Sequence, residues 1–422
     1  MNGSIRVLST LAGLAIVVGA CGGGGSPAPA SQPAASAPAG SAAAGSAAAS
    51  ASTAAALSGT LTVWEAYGAS GTTEKDAFDK VVAAVKAANP GLTVTVTDVP
   101  FNNLFSNFET QAGTGGGPDL YIAPNDSLPN EARQGLLVDV SDLVATLKAA
   151  PYNTSDVAIN AATVDGKLYE IPESMKAVEL FYNKSVLTTA PATTDDWKAN
   201  ASKLGWVYGA NGGGAYYAWG LYSSFGGKIL ADDGKCAAST GGVADALKWL
   251  QDQKAAGMHL YQNDNDAKAD LISGKIAGFI DGPWQSGDLA KALGDKLAVA
   301  AGPSGPGGAW APMTAPDGFY INASSPNGDL AKQFALAFLQ NEQIFADAGH
   351  LPANTALKPT DPIAQSFAAL MPSGFARPTA KELGNYWTNF GNALAAAIDK
   401  AGSDPTKLVA DACAAMDKAN GK

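Results

Sequence analysis

The sequence predicts an α/β protein in two domains, and three observations carry that reading. Apolar runs of strand length alternate with stretches whose apolar residues recur at helical spacing, the pattern of strand–helix–strand units. A chain of 422 residues is too long for one core. With 46% hydrophobic and only 15% charged residues, it can bury two. The formal charge of −11 argues against nucleic acid and against an acidic membrane surface as partners, so a neutral or weakly charged ligand fits better. Histidine occurs only at His259 and His350, without HExxH or Cys/His spacing, which argues against a metal centre or a histidine-based triad. Both read as surface or helix-end residues, and no cofactor is expected.

Arg6 precedes an apolar run, Val7 to Val18, too short to span a membrane and suited to a signal-peptide core over residues 1–20. It ends in Val18-Gly19-Ala20-Cys21, which resembles a bacterial lipobox with Cys21 as the lipidated residue. Residues 22–56 are Gly, Ala, Ser and Pro with almost nothing else. Such a composition cannot bury enough apolar surface to order itself and reads, with Cys21, as a tether over 21–56.

From residue 57 the elements follow in order. Thr60 to Trp64 reads as a strand, followed by a loop and a helix from Thr72 or Thr73 whose Phe78, Val81, Val82 and Val85 share one face. Asn89-Pro90-Gly91 stops it, and Leu92 to Thr97 alternates as a second strand. A helix from Asn103 to Ala112 and a strand from Asp119 to Ile122 complete a βαβαβ unit, for which a parallel sheet is the expected solution. The glycines at 113 and 115–117 follow a helix and precede a strand, the opposite order from a phosphate loop.

The stretch 267–284 is the most informative. Asp266 can cap a short helix leading to Ser273-Gly274-Lys275, and Ile276 to Ile280 reads as a buried strand. Asp281-Gly282-Pro283-Trp284 then ends the strand in a tight turn. It presents the Trp284 ring beyond a strand's carboxyl end, where open α/β sheets hold ligands.

That segment resembles the one carrying a sugar-stacking tryptophan in bacterial extracellular solute-binding proteins, family 1, of the maltose-binding type. Further motifs extend the resemblance over nearly everything after the tether. Gly117-Pro118-Asp119-Leu120-Tyr121-Ile122 with Asn125-Asp126 resembles the family's third strand and the polar loop after it. Gly166 to Pro172, leading into Leu180-Phe181-Tyr182-Asn183-Lys184, is similar to its first crossing between lobes. Tyr216-Tyr217-Ala218-Trp219 resembles the helix with a cleft tyrosine. Ile321 to Pro326 and Leu351 to Asn354 fit the return to the first lobe, and Tyr386-Trp387 fits a late helix with another stacking ring.

The resemblance implies a two-lobed periplasmic-binding-protein-like fold of type II. Each lobe is a mixed sheet flanked by helices, and a multi-crossing hinge joins them. It places the N-lobe at 57–176 plus 315–358 and the C-lobe at 177–314 plus 359–422, with hinges near 174–178, 314–318 and 356–360. It implies an extracytoplasmic, lipid-anchored monomer that closes on a sugar and delivers it to ABC permease subunits. Ligand contacts are expected from Tyr216, Trp284 and Trp387, from Asp126 as an acceptor for sugar hydroxyls, and from Lys176 beside the first crossing. Glu65, Tyr67 and Ser70, in the loop after the first strand, are expected to face the same cleft. Read by themselves, the rings could instead be core residues and Asp126 a helix cap.

Several positions depart from the maltodextrin-binding pattern. Ala123 stands for a tryptophan, Lys176 for an acidic residue and Gly214 for a glutamate, and the charged pair of the first loop is absent. A mono- or disaccharide, a pentose oligomer and an aminosugar all stay open, and Lys176 admits an anionic solute. A receptor for a polyamine, a phosphodiester or a chelated metal is the alternative within the binding class. A secreted carbohydrate-active enzyme would need two carboxylates facing a scissile bond; Glu170, Glu173 and Glu179 are available, but no second acidic cluster is marked out. Asp264-Asn265-Asp266 lacks the Gly and distal Glu of a calcium loop and reads as a helix start. Cys236 and Cys413 remain after Cys21, an even pair in an oxidising compartment, either bonded to each other or present as two buried thiols.

Overall fold

The computed structural model describes residues 56–69, 72–209 and 213–422. The leader, Cys21, Ser70 and the tether up to residue 55 lie outside them. Two sheets organise the described chain. The first is ordered β13-β6-β12-β3-β1-β2, with β14 joined to β12, and the second β11-β7-β10-β8-β9. Helices are named below by their residues.

The first sheet starts as the periodicity requires. β1 (Ser58–Glu65) pairs in parallel with both β2 (Gly91–Asp98) and β3 (Leu120–Pro124), with the helices Thr72–Ala88 and Phe101–Ala112 in between. The first helix buries Phe78, Val81, Val82 and Val85 against the sheet. Asn89 ends it by donating to the Val85 carbonyl at 2.8 Å and accepting from the Leu57 N–H at 2.8 Å. Asp119, just before β3, accepts from the backbone and hydroxyl of Thr62 at 2.7 and 2.9 Å and from Ser325 at 2.6 Å. One carboxylate thus pins β1, β3 and the turn after β12 together.

After the short hairpin of β4 (Thr163–Val164) and β5 (Lys167–Leu168), β6 (Ile171–Lys176) closes the early part of the first sheet. The chain then crosses through Ala177-Val178 to β7 (Glu179–Asn183) in the second sheet, built with β8 (Leu204–Val207), β9 (His259–Tyr261), β10 (Gly278–Asp281) and β11 (Leu297–Ala300). A second crossing, residues 301–312, returns to β12 (Met313–Ile321), antiparallel to β3 and β6 and buried along all nine residues. Trp310 in this second crossing donates its indole N–H to the Val178 carbonyl of the first at 3.3 Å, so the two are tied side by side. The third leads from β13 (Leu351–Pro352) into the helix Pro362–Leu370. Each sheet has its own core, the second built around Trp197, Trp206, Phe181 and Phe279.

Two details differ from the sequence-based expectation. The helix of the 267–284 stretch spans Asp264–Ser273 and is capped by Asn263, whose side chain accepts from the Asp266 N–H; Asp266 itself lies in the first turn. In the stretch 359–422, β14 (Phe375–Ala376) pairs with Met313 and Thr314 at the start of β12, residues expected in the same lobe, and Met313 packs in the second sheet's core. β12 extends past the end of β6 at Lys176, and β14 takes up backbone groups left there. His350 does lie at a helix end, its N–H donating to the Phe345 carbonyl just past the helix Gln343–Asp347, but it is buried and not at the surface, for a reason that belongs to the site.

Cys236 and Cys413 are joined by a disulfide with Cα atoms 5.3 Å apart. It binds the loop after Leu230 to the last helix, Pro405–Ala419, which Asp404 caps. The Cys236 N–H donates to Asp417 of that helix at 2.7 Å.

Candidate functional site

The second sheet contributes aromatic rings. β10 ends at Asp281, whose buried carboxylate accepts from the Gly282 N–H at 2.8 Å and from the Tyr217 hydroxyl at 3.1 Å. Burial first, then the nearby Asp264, pushes this carboxyl far above its usual range, while the hydrogen bonds pull the other way. The Trp284 ring folds back over Gly282, where a Cβ would sit 2.0 Å from it, so only glycine leaves the ring its place. Tyr216, beside Tyr217 on the helix Gly213–Ser224, holds its ring 6.4 Å from that of Trp284, tilted by 37°. Trp387 comes from the first turn of the helix Tyr386–Asp399. Its neighbour Tyr386 is fully buried and donates to the Ala215 carbonyl at 2.8 Å, which fixes the two ring-bearing helices against each other.

The first sheet contributes charge. Lys176, the last residue of β6, pairs with Asp317 of β12 at 2.6 Å, and its ammonium lies 5.5 Å from the Trp284 ring centre. Asp126, in the loop after β3, pairs with Arg377, which also donates to Asn125 at 2.8 Å. The guanidinium sits 5.4 Å from the Tyr216 ring centre and 5.0 Å from that of Trp387, within range of a cation–π contact to both. Beneath lies His350, with Nε2 2.6 Å from Glu74 and Nδ1 3.3 Å from Glu173. Burial alone would lower its pKa, but Glu173 and Glu74 outweigh burial and raise it to about 10, so the ring is an imidazolium donating from both nitrogens. The gap left between the sheets is narrow, about 10 Å³, lined among others by Glu74, Ser174, Lys176, Trp284, Asp317 and His350. The Thr73 hydroxyl donates to Asp288 at 2.6 Å, linking the helix after β1 to the helix after Trp284.

Lys176 and Trp284 line this gap with Tyr216 beside Trp284, while Asp126 and Trp387 meet at Arg377, which also contacts Tyr216. Asp126 is not a helix cap: the helix Leu128–Arg133 starts after Ser127 without a side-chain cap, and the carboxylate goes to Arg377. Glu65 and Tyr67 do not face the crevice as expected. Glu65 is 0% exposed and accepts from the Tyr67 N–H at 2.6 Å, with Lys75 3.7 Å away; burial raises its carboxyl to about 7. The Tyr67 ring packs against Phe78, Phe345 and His350, because an aromatic ring gains more in that apolar interior than on a wet loop. The carboxylates available for acid–base chemistry are buried too. Glu173 faces His350, Glu179 accepts from the Gly302 N–H at 3.2 Å, and Glu170 is held high by burial.

Sequence reasoning missed Arg377, Asp317, Glu74 and His350. For Arg377 one signal was available: arginine occurs at only three positions, 6, 133 and 377, so a lone arginine in an apolar stretch marks a specific partner. Nothing local marked the other three.

A site of this kind can cover the flat faces of a polar ligand with aromatic rings and meet its edges with charged groups. Comparison with known proteins agrees in kind. A family model described as bacterial extracellular solute-binding protein matches residues 80–371. The maltodextrin-binding protein MdxE of Bacillus subtilis (strain 168) is 25% identical over 358 residues, 75% of this chain and 81% of that protein. The galactooligosaccharide-binding protein of the same organism is 27% identical over 364 residues, 79% of this chain and 83% of that one. The solved structure of the Thermus thermophilus maltotriose binding protein bound with maltotriose is 28% identical and matches with a TM-score of 0.75, over 86% of this chain and all 100% of the other.

Proposed function

The chain belongs to the bacterial extracellular solute-binding proteins and has their two-lobed α/β fold, and from that premise we propose that it is the sugar-binding receptor of an ABC importer. A sugar or short oligosaccharide sits between the sheets, stacked on aromatic rings and held at its edges by Lys176, Asp317 and Glu74. The supporting observation is that Tyr216, Trp284 and Trp387, from three separate helices and turns, converge on one crevice facing charged groups of the other sheet. The relatives bind maltodextrin, galactooligosaccharide and maltotriose, which favours the same ligand class here.

Cys21 carries the lipid anchor, the tether holds the folded part off the membrane, and the receptor works as a monomer. The N-lobe comprises residues 57–176 and 315–358, and the C-lobe residues 177–314 and 359–422. Closure is driven by the ligand's preference for the closed form, which the permease then recognises. The gap leaves about 10 Å³, room for no more than a water, against the roughly 300 Å³ at which ligand clefts begin, so the lobes must part to admit a sugar. Lys176 is already neutralised by Asp317, so it gives an anionic solute no advantage.

A thermal-shift screen of the protein against mono- and oligosaccharides tests the reading, since a ligand bound only by the folded state raises its Tm. At least one saccharide is expected to do so, and Trp284→Ala to weaken that sugar by about tenfold or more. A response to polyamines or anions with none to sugars would replace the proposal.

A further inference from the structure

Resting on the carbohydrate reading above, we propose that Arg377 ends the binding crevice at Tyr216 and Trp387, so that the ligand is a saccharide of one or two rings seated against Trp284. Three stacking rings in a row would suit a longer chain, but two of them already share an occupant. The Arg377 guanidinium lies 5.4 Å from the Tyr216 centre and 5.0 Å from the Trp387 centre, on the faces a further sugar ring would need.

That occupant is held from several sides. β14 pairs with the start of β12, and the Arg377 N–H donates to the Thr314 carbonyl at 2.9 Å, so the residue is anchored where the chain passes between the sheets. Its Nε donates to the Met313 sulfur at 3.0 Å and its Nη1 to Asn125 at 2.8 Å, and Asp126 completes an ion pair in which the arginine side chain is 3% exposed. A sugar ring entering between Tyr216 and Trp387 would have to break that pair and leave both charges without their partner, a poor exchange for a neutral ligand. Asp126 is likewise engaged and not free to read sugar hydroxyls. The open space lies at the other end, bounded by Trp284, Lys176, Asp317, Glu74 and His350. That end leaves only about 10 Å³ in this arrangement, so the lobes must open before a ring seats there, but among the described residues no charged side chain other than Arg377 lies over the Tyr216 ring.

Calorimetric titration of the full-length protein in detergent tests this with two series, glucose to maltotetraose and galactose to the β-1,4-linked galactotetraose. In whichever series binds, the wild-type disaccharide and tetrasaccharide affinities should agree within about threefold, and Arg377→Ala should raise the tetrasaccharide-to-disaccharide affinity ratio by about tenfold or more. Wild-type affinity climbing tenfold or more from disaccharide to tetrasaccharide would overturn the proposal, and that measurement decides it even if the variant does not fold. An unchanged ratio in a folded Arg377→Ala protein would also remove Arg377 as the limit. If neither series binds, the same titration is run with the one- to four-ring series of whichever sugar raises Tm in the thermal-shift screen; no saccharide raising Tm there sinks the carbohydrate reading, a failure distinct from a ligand of the wrong length.

Discussion

Trp284 owes its place to two neighbours that never meet solvent. Gly282 provides the space its ring occupies, and Asp281 clamps the turn by accepting from Gly282 and Tyr217 together. Because Tyr217 adjoins Tyr216, the same carboxylate ties the two ring-bearing segments to each other. Substituting Gly282→Ala would force the indole off its seat at little cost to backbone conformation, since Gly282 has extended dihedrals. The expected result is a ligand affinity lowered by about tenfold, with a Tm close to wild type; titration and calorimetry on the same preparation check both. A variant that binds normally would show that the ring position over Gly282 is not the one used for binding.

At the level of elements, the last helix is secured to the second sheet's layer by more than packing. Val409, Ala412 and Met416 are buried on its inner face, and the disulfide from Cys413 reaches back across a sequence separation of 177 residues to Cys236. Closing so long a loop restricts the unfolded chain, so removing the bond as the Cys236→Ser, Cys413→Ser pair should cost about 2–5 kcal/mol of stability. The bond lies away from Trp284 and Lys176 in the chain and shares no partner with them. Ligand affinity measured well below the lowered Tm should therefore stay within about threefold of wild type. A loss of binding with intact stability would mean that the final helix sets the site geometry directly.

Across the whole molecule, buried protons dominate the expected pH response. Burial raises the carboxyls of Glu131 and Glu179 to about 8 and that of Glu65 to about 7, so the folded state keeps protons that the unfolded chain loses above its ordinary 4.5. Their contribution to stability is fully present below pH 4.5 and falls as pH rises through those values. The His350 imidazolium adds stability below its ordinary 6.5, lost as pH climbs toward 10. Asp119 and Asp288 act in the opposite sense. Burial works against their charged forms, but hydrogen bonds to Ser325 and Thr73, among others, outweigh it and lower both below 3.8; their contribution disappears in acid. Tm should therefore peak near pH 5 and decline toward pH 9, and Glu131→Gln should flatten the part of the decline between 4.5 and 8. Calorimetry across that range checks it, and a Tm rising steadily from pH 5 to 8 would contradict the assignment.

What the sequence determined by itself was whatever depends on neighbours close along the chain. Alternation in Leu92 to Thr97, the helical spacing of Phe78 to Val85 and the Asp281 to Trp284 turn each announce their element, because strand and helix periods are local properties. The tertiary structure alone decided which charges meet. Arg377 lies 252 positions from Asn125, and His350 lies 276 from Glu74 and 177 from Glu173. Tyr67 was drawn inward by Phe345, far away in sequence, and Glu65 followed through its bond to the Tyr67 backbone. Ion pairs and ring contacts of this kind gain their energy from desolvation by elements packed from remote parts of the chain, and no local pattern of residue types encodes that burial.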